Sequence, residues 1–561
     1  MALTQLSGAE WLASAFAEAG LTHLFFVESV LRRTLLAAED KGLKLVLAHS
    51  EKGAAYMADG YARVARRPGI AMAQSVGAAN LAAGLQDAFL GRSPVIAITG
   101  RKPHDFQNRN AYQEIAHTPP FAAVTRFSSP VEEARDLPRL LAFAWNAALS
   151  APSRPVHLDF AGYVGEVIER GEVSEPPLIA AAARGLPLHR PVADEGALKD
   201  AASRLLAAQR VVIVAGDDAA ASEAGPEVLA LAEALKAPIA TTLGAFGLVP
   251  THHPLWAGVV GSYSAPPANR IVCGADLVFF VGCDTGDQVT LNWTVPSLKT
   301  PILQLEIDPL EIGRSYPHAK GILGDPKASL ARLLAFLGKG ERDPSFAEEA
   351  ARLRRDWQEA MRPLVESGER PIRVERLCAE VSRALPEDGI LVADTGYSGI
   401  WTGTMVELNG KGQTYLRAAG SLGWSFPASL GAACAAGSRK VLCFTGDGGF
   451  YYHLPELETA RRAKIPAVIL INNNSGFGQN LTGVHRAAGN RPGRGEELIR
   501  FGPTDFAAVA KSFGVSGVRV EDPDGIAPAL AKAFAANEPF VVDVATALEP
   551  RAPEPWSPRA A

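Results

Sequence analysis

Short runs of β-branched and aromatic residues, each closed by Gly, Asp or Pro, recur along the whole chain. They include Pro94-Val95-Ile96-Ala97-Ile98, Val211-Val212-Ile213-Val214-Ala215, Leu277-Val278-Phe279-Phe280-Val281, Ile390-Leu391-Val392-Ala393 and Ala467-Val468-Ile469-Leu470-Ile471. Continuous apolar runs of this length read as strands buried on both faces of a parallel sheet. Amphipathic helical stretches lie between them, among them Gly8 to Ala19 and Pro455 to Lys464. Strands alternating with helices give doubly wound α/β sheets. A chain of 561 residues is too long for one core, and about 150 residues per domain predicts about three or four units.

Two linkers divide the chain. Glu172 to Asp194 carries Pro176, Pro177, Pro187 and Pro191, and a charged helical stretch runs from about Glu341 to Glu369. The resulting α/β blocks are 1–170, 190–340 and 371–548. The tail 549–561, with Pro550, Pro553, Pro555 and Pro558, reads as a surface arm or a lid, because proline at that density continues neither a helix nor a central strand.

Composition narrows the function. A chain that is 47% hydrophobic and 20% charged closes large cores and is not disordered. Lys+Arg of 55 against Asp+Glu of 60 gives −5 with no basic stripe, so a small-molecule partner is expected and nucleic acid is not. The five cysteines form no C-x-x-C pair and read as buried free thiols. Glu10 and Glu18 stand where a signal peptide needs a basic start and an apolar stretch, and no apolar segment reaches the roughly 18 residues of a membrane span. No membrane partner is expected, and the location is expected to be cytoplasmic.

The most informative segment runs from Val441 to Thr445, through Gly446-Asp447-Gly448-Gly449 and a helix, and back through Ala467 to Ile471 into Asn472-Asn473-Asn474-Ser475-Gly476. In an open parallel sheet both strands end on the same edge, so Asp447 and Asn474 converge there. One carboxylate, one amide oxygen and a nearby carbonyl leave room for phosphate oxygens and water around Mg²⁺. Flanking glycines let backbone N–H groups approach a diphosphate. Gly-Asp-Gly alone is no more than a strand-end turn. Followed by Glu456-Leu457, Thr459-Ala460, a strand and Asn473-Asn474, it resembles the diphosphate and metal motif of thiamine-diphosphate-dependent enzymes.

That resemblance implies that Asp447, the Asn474 side chain and the Gly476 carbonyl hold Mg²⁺ on the diphosphate. Gly396, Tyr397, Ser398, Gly446, Gly448, Gly449 and Phe477 would line the cofactor. His49-Ser50-Glu51-Lys52-Gly53-Ala54-Ala55-Tyr56 resembles the family's cofactor-activating segment, in which Glu51 would bond N1′ of the aminopyrimidine and so poise its 4′-nitrogen as a base. Gly420-Ser421-Leu422-Gly423 resembles the loop that bends the cofactor. Leu422 would be the wedge and the Gly420 carbonyl would accept from the 4′-amino group. The resemblance covers nearly the whole chain and is closest to the acetolactate-synthase-like branch, as Ile302-Leu303-Gln304-Leu305-Glu306-Ile307-Asp308-Pro309 indicates. It implies a homodimer or homotetramer, with Glu51 and Asp447 of one site supplied by different chains.

The sequence also departs from that branch. Phe477-Gly478-Gln479-Asn480 lacks the expected tryptophan, Phe25-Phe26-Val27-Glu28-Ser29 replaces a glycine-rich turn, and Val76-Gly77-Ala78-Ala79-Asn80 replaces Gly-Pro-Gly. An unpaired Glu28 would disfavour an anionic substrate. Asp284-Thr285-Gly286-Asp287-Gln288 stands where an FAD-binding segment would carry arginine, so FAD is not expected. Gln113 matches a glutamine that lines the reaction site in the branch, and His485 either relays protons or is solvated.

The leading expectation is decarboxylation of a 2-oxo acid with transfer of the carbanion equivalent to an aldehyde or ketone. A pocket of Glu28, Gln113, Gln479 and Asn480 would suit a hydroxylated or neutral acceptor better than a second pyruvate. A simple decarboxylase, an acyloin lyase and a non-catalytic cofactor-binding homologue remain open. A Rossmann dehydrogenase lacks its G-x-G-x-x-G.

Overall fold

A computed structural model describes residues 5–177, 185–338 and 342–558. Part of the proline-rich linker, the start of the charged stretch at Glu341 and the end of the tail therefore lie outside the described residues.

The chain folds into three α/β domains, each built on a six-stranded sheet. In spatial order the first sheet runs Lys44–Leu47, His23–Phe26, Gly69–Gln74, Val95–Arg101, Val156–Ala161 and Phe127–Val131. The third repeats this order with Thr414–Arg417, Ile390–Ala393, Val441–Gly446, Ala467–Asn473, Phe540–Ala545 and Ser516–Val520. All neighbours in both are parallel, which needs helical crossovers and buries both faces. The middle sheet has a different order, Trp256–Val259, Ile239–Thr241, Val211–Ala215, Leu277–Val281, Ile302–Glu306 and Lys320–Leu323.

Ligands of open α/β sheets bind beyond the strand ends where the order reverses. In the first domain that crevice lies between the residues after Phe26 and those after Gln74. In the third it lies between Asp394–Ser398 and Asp447–Gly449.

The first and third domains pack through two helices, Glu51–Ala65 and Ser425–Ala435. A Cβ at Gly60 would lie 1.9 Å from the Ala428 carbonyl oxygen, and one at Gly431 would lie 1.8 Å from that of Met57. Only glycine permits this approach, because the obstacle on each side is backbone. Trp424 Nε1 donates to Asp59 at 2.8 Å, and the Arg63 guanidinium lies 4.6 Å over the Trp424 ring.

Three expectations change in detail. Glu172–Val173 is not linker but pairs antiparallel with Leu6–Ser7. The proline-rich tail, expected as a surface arm or a lid, is docked on the protein: Ala552 is buried, and the Trp556 carbonyl accepts from Asn269 Nδ2 of the central domain at 3.0 Å. Cys273 and Cys434 are half-buried rather than buried. All five cysteines are free, and burial pushes the Cys443 thiol up to about 12 and that of Cys273 to about 11. Among the described residues no helix is long and apolar enough to cross a membrane.

Candidate active site

The strand Val441–Gly446 ends where the Asp447–Tyr451 helix begins, which places the Asp447 carboxylate at the crevice of the third sheet. Its two oxygens accept from the backbone N–H groups of Gly448 at 2.7 Å and Gly476 at 3.0 Å. Asp447 is 2% exposed, and burial lifts its carboxyl to about 6 against these donors. No side-chain cation balances it in these contacts.

Of the three consecutive asparagines, two are already engaged. Asn472 Oδ1 accepts from Thr546 Oγ1, and Asn473 Nδ2 donates to Asp543 and to the Thr504 carbonyl, each at 2.9 Å. Asn474 Oδ1 is buried without a hydrogen-bond partner. A buried acceptor left unmade costs about 1–3 kcal/mol, so Asn474 calls for a donor or a cation. Among the described residues no group of three or more His, Cys, Asp or Glu side chains gathers to hold a metal. A cation here would therefore meet one carboxylate, neutral oxygens and the oxygens of a ligand, a set that fits Mg²⁺ on a diphosphate.

The glycines beside this centre are tightly fitted. A Cβ at Gly448 would lie 2.4 Å from Phe477, and one at Gly396, whose φ is +66°, would lie 2.6 Å from Gln479 Oε1. Ser398 Oγ is 3.9 Å from the Cβ position of Gly446. The segments 396–398, 446–449 and 474–479 thus converge as one cradle.

Glu51 opens its helix, with Ser50 Oγ accepting from Gly53 N at 2.9 Å. Asn80 Nδ2 donates to Glu51 Oε2 at 2.6 Å, and a Cβ at Gly77 would lie 2.4 Å from Oε1. The segment that replaces Gly-Pro-Gly is therefore what grips Glu51. His49, two positions before Glu51, donates its backbone N–H at 3.1 Å to Glu456, a buried residue of the third domain.

The loop carrying Gly420 and the half-buried Leu422 is held from the first domain. Asp87, fully buried, accepts from the backbone N–H groups of Ala419, Gly420 and Ser421 at 2.9, 3.1 and 2.9 Å. On its other flank, Asp394 accepts from Gly423 N at 3.1 Å and Ser425 Oγ at 2.7 Å. Sequence reasoning missed both carboxylates. Asp87 sits unmarked in an apolar helix, and its partners are backbone groups over three hundred positions away.

Glu28 is not a bare carboxylate. Arg32 Nε donates to it at 2.5 Å and Ser29 Oγ at 2.8 Å, which holds its carboxyl below the usual range, so Arg32 neutralises it. Gln113 Oε1 accepts from Gln74 Nε2 and the Tyr163 hydroxyl, each at 3.1 Å. His485 is tied to Glu496 at 3.2 Å. Within one chain Glu28 and Gln113 belong to the first domain, whereas Gln479 and Asn480 are exposed on the third.

Comparison with known proteins agrees with this architecture. The N-terminal TPP-binding, central and C-terminal TPP-binding domains of thiamine pyrophosphate enzymes match residues 6–119, 198–333 and 394–544. The chain is 30% identical over 556 residues to a probable acetolactate synthase large subunit of Methanocaldococcus jannaschii, covering 96% of this chain and 92% of that protein. It is 26% identical to the acetolactate synthase isozyme 2 large subunit of Escherichia coli, covering 96% and 95%. It is also 31% identical to a probable 2-ketoarginine decarboxylase of Pseudomonas aeruginosa, covering 78% and 76%. The chain belongs to the thiamine pyrophosphate enzymes. Within that family it lies in the acetolactate-synthase-like branch, whose type is the thiamine-diphosphate-dependent carboligase or decarboxylase.

Proposed function

We propose that the protein is a Mg²⁺-dependent carboligase that decarboxylates a 2-oxo acid and transfers the carbanion equivalent left after CO₂ departs to the carbonyl carbon of an aldehyde or ketone. The observation that carries the metal reading is the pairing of a buried, uncompensated Asp447 with the unpartnered Asn474 Oδ1. These two side chains and the Gly476 carbonyl would hold Mg²⁺. Bound thiamine diphosphate supplies an electron sink for the carbon next to the substrate carbonyl.

The chain's own residues then have separate tasks. Glu51 would share a proton with N1′ of the pyrimidine, and Asn80, which donates to its carboxylate, would keep it oriented for that exchange. The Gly420 carbonyl would accept from the 4′-amino group, and Leu422 would be the wedge between the two rings. Gln113, Gln479 and Asn480 face the acceptor side in the assembled enzyme. Glu51 and Asp447 of one site come from two chains, so the working unit is at least a homodimer and we expect a dimer of dimers.

FAD is not part of this reading. The crevice of the central sheet carries Asp218, Asp284 and Glu306, with Arg92 of the first domain contacting Asp218 and lying 3.7 Å from Asp284. Burial pushes the Glu306 carboxyl well up. The exposed carboxylate of Asp284 at this crevice disfavours the phosphates of a dinucleotide.

The test is steady-state kinetics with pyruvate alone beside pyruvate with a series of aldehydes. Mixed acyloin products at higher kcat/KM than acetolactate support the reading. Efficient acetolactate formation from pyruvate alone, at or above roughly 10⁴ M⁻¹s⁻¹, contradicts the proposed acceptor. A simple decarboxylase is the second reading, favoured by the similarity to the Pseudomonas protein, and predicts free aldehyde with no joined product.

A further inference from the structure

A cavity of about 410 Å³ opens at the carboxyl ends of the first sheet, lined by Ser75, Arg101, Lys102, His117 and Asp159 among others. It adjoins the cofactor-activating residue through the chain: Ser75 lies two positions before Gly77, which packs against Glu51. Ser75 Oγ also donates to the Gln113 carbonyl. The cavity therefore borders the loop expected to face substrate.

One wall presents an incomplete hydrogen-bond network. His117 is 3% exposed, its Nδ1 lies 2.8 Å from Asp159 Oδ1, and its Nε2 is buried without a partner. Thr99 Oγ1 donates to the same Asp159 oxygen at 2.7 Å and lies 2.7 Å from His157 Nε2. Phe121 stacks on His157 at 3.6 Å. In the tautomer whose Nδ1–H donates to Asp159, Nε2 of His117 is the ring's acceptor. An unpartnered acceptor on a residue that lines a cavity suits an O–H group.

The charges around it point the same way. Asp159 Oδ2 pairs with Arg101 at 3.3 Å, and Arg101 also binds Glu132. Both oxygens of Glu114 accept backbone N–H groups, those of Asn108 and Ala111. Lys102 lies 3.5 Å over the Tyr163 ring, where it can donate to an oxygen. The lining acids and bases nearly balance, so the cavity suits a neutral hydroxylated group rather than an anion.

We propose that His117, positioned by Asp159, is a specificity-determining residue that binds the hydroxyl of a hydroxylated aldehyde acceptor. The inference rests on the carboligase reading and goes further by naming the acceptor class. Glycolaldehyde and propanal test it, because they match in size and differ by one hydroxyl. With pyruvate as donor, the wild-type enzyme is expected to favour glycolaldehyde in kcat/KM by at least about tenfold, the worth of one good hydrogen bond. His117→Phe should erase that preference while leaving propanal within about twofold. His117→Asn, which keeps a polar group and preserves the fold if Phe does not, should retain part of it. Equal loss on both aldehydes in the variants, or an unchanged preference, overturns the assignment. Wild-type enzyme that uses propanal as well as glycolaldehyde also overturns it and leaves the carboligase reading standing. Release of CO₂ with no joined product from either aldehyde overturns both.

Discussion

The carboxylate of Asp87 in the first domain accepts the backbone N–H of Gly420 in the third at 3.1 Å. The loop assigned to bend the cofactor is thus fixed by a domain it does not belong to. Arg63 steadies Asp87 at 3.4 Å and is itself held by Asp59 at 2.8 Å.

Asp87→Asn should therefore damage catalysis more than cofactor retention. The amide keeps the shape but removes the charge that draws three N–H groups together, and a loop displaced by about 1 Å can cost about 10²-fold in kcat. The measurement is kcat together with thiamine diphosphate stoichiometry. Normal turnover in a correctly folded variant argues against the positioning role.

Gly431→Ala and Gly60→Ala should each destabilise the chain strongly. The new methyl meets a carbonyl oxygen at 1.8 or 1.9 Å, closer than overpacking against movable side chains, which typically costs about 1–3 kcal/mol. Urea unfolding should show a clear fall in midpoint, or the variants should fail to accumulate. Wild-type midpoints contradict the helix contact.

Much of this arrangement was legible in sequence, for local reasons. Ile390–Ala393 and Ala467–Asn473 are strands because their apolar runs suit a sheet covered on both faces. Asp447 and Asn474 read as one site because the string that carries the resemblance, from Gly446 to Gly476, spans a short stretch of chain. The sequence singles out Asn474 through the resemblance, and the physical reason it differs from Asn472 and Asn473 lies in their partners Thr546, Thr504 and Asp543. Whether Glu28 is paired was open in the sequence, and the helix beginning at Arg32 supplies the partner. His117 carried no signal, because its meaning comes from Asp159 and Thr99 on neighbouring strands.

Acidity should govern how strongly Mg²⁺ and thiamine diphosphate together stabilise the chain. Asp447 is raised from 3.8 to about 6. The folded chain without a cation therefore binds its proton more tightly than the unfolded chain does. The resulting penalty is absent below about pH 4, grows as pH rises to about 6 and is then complete, at about 3 kcal/mol. Cation binding relieves it, so the gain in Tm on adding Mg²⁺ and cofactor should be larger at pH 7.5 than at pH 5.5. Asp447→Asn should flatten that difference. An equal gain at both pH values in the wild-type chain would count against the metal assignment.

The most direct test of the account is CO₂ release from a panel of 2-oxo acids by purified protein, measured with and without thiamine diphosphate and Mg²⁺. The account predicts release from at least one acid that requires both additions. It also predicts that Glu51→Gln retains the cofactor yet loses at least about 10²-fold in rate, within the range for a removed acid–base group. Retained cofactor with no release from any 2-oxo acid, or full activity in Glu51→Gln, would contradict it.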